Sequence, residues 1–141
     1  MFNVLVFFGM DHLLGMFKTI VSWFLSMFIK TDTKPSESYF YKLADEDPEK
    51  LELYIRKNYL EPSLLTYALE ILGEKCNYKI ADRTILPMLW HESPIVREGA
   101  IYGLKNFRKE KTVVECLESI AKADPNLCVR QIARDLLEED F

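Results

Sequence analysis

From about residue 46 onward, apolar positions recur at three- and four-residue spacing in short runs, and four of the runs are led by a proline. That period is the signature of amphipathic helices. Asp47-Pro48 opens a helix expected to reach about Tyr59, with Leu51, Tyr54, Ile55 and Asn58 on one face. A second run covers residues 80–90, and Pro87 within it predicts a kink. A third covers residues 112–123, with Val113, Cys116, Leu117 and Ile120 at helical spacing. Each is followed by a further helix led by Pro62, Pro94 or Pro125. Proline is tolerated in the first helical turn, where its missing N–H costs nothing. Ser93 and Asp124, one residue before two of these prolines, are expected to act as N-caps. A shorter helix is expected near residues 36–44, with Tyr39-Phe40-Tyr41 on its side.

The proline-led helices repeat one another. Val96-Arg97-x-x-Ala100-x-x-x-Leu104 matches Val129-Arg130-x-x-Ala133-x-x-x-Leu137 at an offset of 33 residues. A fainter copy runs from Leu64 to Leu72, with Ala68 and Leu72 in register and Leu65 where the others carry Arg. A period near 33 predicts stacked helical hairpins, each a unit that buries its apolar face only against its neighbours. The invariant Ala is then a place where a neighbouring helix crosses closely. Arg97 and Arg130 are expected to bridge neighbouring repeats through carboxylates or helix-end carbonyls.

The Pro, then Val-Arg-x-x-Ala-x-x-x-Leu frame resembles HEAT repeats, in particular the short bacterial kind also seen in phycobilisome-lyase-like proteins. The resemblance covers roughly residues 46–140. It implies an all-α, right-handed α-solenoid of about three helical hairpins. It further implies that the second helices of successive hairpins line a concave, partner-binding face. A fold shared by many activities identifies none of them.

The first thirty residues have a different pattern. Phe2 to Ile29 is strongly apolar, and Leu13 to Ile29 carries a single charge, Lys18. Asp11, Gly15, Lys18, Thr19, Ser22, Ser26 and Lys30 fall on one narrow helical stripe. Seventeen residues of helix span roughly 25 Å, near the lower limit for a bilayer. Three readings remain open: a membrane span, an interfacial helix with its polar stripe in water, and a helix that caps the repeats. Met10 and Met16 are alternative starts. No basic residue precedes the apolar run, so a secretory signal fits poorly. Lys30, Lys34 and Lys42 follow it, which would hold the repeats on the cytoplasmic side if the segment spans. The expected organisation is therefore an apolar helix (1–30), a linker containing Pro35 (31–38) and a repeat domain (39–141). The expected location is cytoplasmic, with membrane contact through residues 13–29.

Composition narrows function by exclusion. The chain of 141 residues is 49% hydrophobic and 28% charged, enough for one domain with a real core. Its net charge is −4, and residues 36–141 hold 15 Lys/Arg against 20 Asp/Glu. Such a balance repels phosphate backbones, so no nucleic acid is expected unless Arg97, Arg130, Arg134 and Lys105 converge on one face. Cys76, Cys116 and Cys128 lack metal-ligand spacing and are expected to be reduced and mostly buried. No nucleophile–base pair or Gly-rich phosphate loop is visible, and His91 beside Trp90 is read as structural. No catalytic residue, metal ligand or cofactor is assigned.

The expected function is a non-catalytic adaptor or scaffold that binds another protein, with a basic partner suiting the acidic chain. An immunity-type inhibitor of a toxin and a lyase-like, enzyme-associated HEAT protein are the alternatives. On the proline-led helices Val96, Ala100, Gly103, Leu104 and Phe107 form the core side. The opposite positions give the candidate partner-binding stripe: Glu70, Glu98, Tyr102, Lys105, Gln131 and Asp135. Thr66 and Gly73 are expected on the same side of the first copy.

Overall fold

The computed structural model describes residues 34–139, which form seven packed helical segments and no strand. The apolar helix expected over residues 1–30, its membrane contact at 13–29 and most of the linker lie outside the described residues. Among the described residues, no helix is long and apolar enough to cross a membrane.

α1 (Glu37–Glu46) starts where Ser36 accepts a hydrogen bond from the Tyr39 N–H at 3.3 Å. It buries Phe40 and Ala44, four residues apart. Pro48 ends it, because the residue before a proline is driven out of the helical region. Asp47 is accordingly extended and caps both neighbours. Its N–H donates to Leu43 O, and its Oδ1 accepts from the Glu49 N–H at 2.9 Å. α2 (Pro48–Lys57) buries Leu51, Glu52 and Ile55. It stops at Asn58, which is an exposed C-cap and not part of the buried face; Tyr59 lies beyond the helix.

α3 (Pro62–Lys75) and α5 (Pro94–Gly103) begin on their prolines, as the sequence pattern requires. Ser93 occupies the N-cap position, but its hydroxyl makes no capping bond; its N–H donates to His91 Nδ1 at 3.0 Å. The third copy differs. α7 (Leu127–Glu138) starts two residues after Pro125, and Asn126 is its cap, accepting from the N–H groups of Cys128 and Val129. Asp124 is therefore not an N-cap: it terminates α6 (Lys111–Ala123) and is drawn into a buried ion pair.

α4 (residues 78–90) carries the distortion that Pro87 predicts. It passes from an α turn (Tyr78–Ile80) to a π turn (Ala81–Ile85), then to a 3₁₀ stretch (Leu86–Trp90). Proline has no N–H to give to the carbonyl of Arg83, and its ring clashes there. The backbone widens instead, and the Leu86 N–H reaches back five residues to Ala81 O.

α3 packs on α1, α2 and α5; α5 packs on α3, on the end of α4 and on α7; α6 packs on α7. The repeated Ala68, Ala100 and Ala133 are all fully buried, with Leu72 and Leu104 beside them. Closest of all is the approach of α3 and α5. Gly73 meets the Gly103 backbone, Gly103 faces Leu69 O, and Gly99 lies over Thr66. Thr66 Oγ1 donates to Ile95 O at 2.7 Å across the same seam, and Asn106 Nδ2 donates to Gly73 O at 3.2 Å. Thr66 and Gly73 are thus interhelical contacts and not part of an exposed stripe. Cys76 and Cys116 are half-buried, but Cys128 is exposed, against the expectation of burial.

Candidate functional site: an acidic helix face around Tyr102

α3, α5 and α7 each contribute to one polar face. Tyr102, on the last turn of α5, is 47% exposed. Its hydroxyl is pushed above the ordinary tyrosine value first by burial, then by the charges of Glu98, Glu70 and Asp135. Glu98 lies on α5, Glu70 on α3 and Asp135 on α7, so the negative charge felt by one phenol comes from three helices. Glu70 is itself half-buried. Its carboxyl is raised by burial, then by Glu98, Glu74 and Glu37. Among the described residues, no hydrogen bond or ion pair engages the side chain of Glu70 or Glu98. A shallow groove of about 320 Å³ runs beside Tyr102, lined by Glu70, Gly73, Glu74, Lys105 and Asn106.

Of the six stripe residues, the structure brings Glu70, Glu98, Tyr102 and Asp135 together. Gln131 joins through Asp135, donating from Nε2 to Oδ1 at 2.7 Å one turn along α7. Lys105 lies past the end of α5, lines the groove, and spends its charge on Glu139 at 3.2 Å. Three contributors are absent from the sequence-derived stripe. Glu37 comes from α1, and Tyr41 Oη donates to Glu74 Oε2 at 3.4 Å. Glu37 and Tyr41 are not visible because α1 lies outside the 33-residue frame; Glu74, on α3, lies just past the aligned copy that ends at Leu72.

The cations named as a condition for nucleic-acid binding are each engaged elsewhere. Arg97 is bidentate on Asp124, at 2.7 Å and 2.8 Å, and also donates to His91 O and Glu92 O. Arg130 donates to Asp124 O at 2.6 Å, and Arg134 to Ala121 O at 3.0 Å. Arg97 thus bridges to the next hairpin through a carboxylate, as the repeat pattern predicts, whereas Arg130 reaches only the carbonyl at the turn of its own hairpin and bridges no repeats. Comparison with known protein families, curated proteins and solved structures gives no match. Among the described residues, no group of three metal-ligating side chains occurs.

The raised Glu70 carboxyl carries a cost that can be measured. A carboxyl whose pKa is raised by folding favours its protonated form, so the cost to folding builds as the pH rises from the unfolded value and is complete above the folded value. Glu70→Gln is therefore expected to stabilise the protein at pH 7. The gain should stay under about 1 kcal/mol because solvent screens the site, and it should shrink with added salt. It should vanish near pH 3, where Glu70 is protonated in both states. Thermal unfolding at pH 3 and 7 checks it; equal effects at both pH values would remove the electrostatic explanation.

Proposed function

We propose that this chain is a small protein-binding module whose second-helix face receives a basic segment of a partner. The observation that carries the proposal is the gathering of Glu70, Glu98 and Asp135 near a half-exposed Tyr102, with no ion pair to either glutamate among the described residues. Charges that repel one another in the free protein are repaid when a cationic partner arrives, and complementary charge speeds encounter and fixes register. Tyrosine adds a broad, rigid contact with one polar end, the kind of residue enriched at hot spots. In this reading the helices form a short HEAT-like α-solenoid. α3, α5 and α7 are the second helices of three hairpins and line its concave side. The close α3–α5 packing and the Arg97–Asp124 bridge between successive units support that arrangement.

Recovery of partners from native lysate, before and after a charge reversal, tests the proposal. Glu98→Lys with Tyr102→Ala should leave the helical circular dichroism unchanged and reduce partner recovery at least tenfold. Wild-type recovery should fall steeply between low and physiological salt. Recovery that survives both substitutions would sink the acidic face as the binding surface.

The apolar residues 13–29 support membrane contact at a cytoplasmic face, on sequence pattern alone. Membrane fractionation should place the full chain in the membrane pellet and a chain beginning at Ser36 in the supernatant. A full-length protein recovered monodisperse in the supernatant would remove the membrane reading.

A further inference from the structure

We draw no further inference here: the strongest candidate, the exposed apolar side chains at the helix ends (Tyr59, Trp90, Ile95 and Leu127), is a set of surface positions for which nothing in the structure shows what covers them.

Discussion

Replacing Gly73 by alanine is expected to cost about 3 kcal/mol or more, although the same change in an ordinary helix interior stabilises by roughly 0.5–1 kcal/mol. The sign reverses because of what the methyl would meet. A Cβ at residue 73 would lie 2.6 Å from Gly103 Cα, inside backbone that cannot rotate away. A Cβ at Gly103 would in turn lie 2.6 Å from Leu69 O. Relief requires α3 and α5 to separate, and that opens gaps along the fully buried Ala68, Leu69, Ala100 and Leu104. Midpoints of urea unfolding for wild type, Gly73→Ala and Gly103→Ala measure the effect. For a domain of this size the loss corresponds to a drop in Tm of roughly 10 °C or more. Gly99→Ala should cost less, because one of its neighbours is the Thr66 methyl, which can shift. A stabilised Gly73→Ala would mean that α3 and α5 do not approach as described.

That seam shows what the sequence reveals and what it hides. The Val, Ala and Leu of the repeat frame are legible as core because they return at helical spacing in register, and Val96, Ala100, Leu104, Val129 and Ala133 are all buried. The repeat says that a helix crosses at the alanine, but not which side of that helix the neighbour takes. Counting 100° steps from the core face puts Gly73 on the solvent side, whereas α5 packs against that side as well. A helix between two neighbours has two buried faces, and a single periodicity marks only one. Gly99 and Gly103, four residues apart, were the available sign of a second close contact.

The same limit applies to Glu52. It sits between Leu51 and Leu53 with nothing to set it apart, yet it is 3% exposed. Arg83 donates to it from Nε at 2.6 Å and also from Nη2, and Thr84 Oγ1 donates at 2.9 Å. Both partners sit in the π turn of α4, 31 and 32 residues away. Such a pairing needs the tertiary approach of α2 and α4, and no local pattern encodes it. The acidic face around Tyr102 was more legible, because three of its carboxylates lie on helices that the repeat aligns. Its extension to Glu37 and Tyr41 depends on α1, which the repeat does not describe.

Arg97→Met is expected to destabilise by about 3–5 kcal/mol, the largest effect of any side-chain truncation here, because it strands a buried charge. Arg97 is 7% exposed and Asp124 4%. Burial by itself pushes the Asp124 carboxyl up. The Arg97 hydrogen bonds, the Asn126 N–H and the charges of Arg97 and Arg130 outweigh it and hold the group below the ordinary aspartate value. Asp124→Leu should cost a similar amount, since it leaves the guanidinium with only the carbonyls of His91 and Glu92. The double variant Arg97→Met/Asp124→Leu should recover most of the loss, because apolar groups of similar volume replace a pair whose desolvation offsets its attraction. It should remain about 1 kcal/mol below wild type, the worth of the bond that Asp124 Oδ1 accepts from the Asn126 N–H at 2.8 Å. A coupling energy of at least about 2 kcal/mol is therefore expected, and simple additivity of the two single variants would refute the bridge. Acidity separates this account from a plain packing defect. In wild type the folded pKa is depressed, so the bridge's contribution is present at neutral pH and is lost as the pH falls below about 4, through the folded value. In Arg97→Met burial acts unopposed by the guanidinium, so the folded pKa rises, and the penalty is full at neutral pH and disappears as Asp124 takes up its proton. The stability gap between the two proteins should therefore narrow from both sides on acidification, whereas a cavity left by a shortened side chain would cost the same at pH 7 and pH 3.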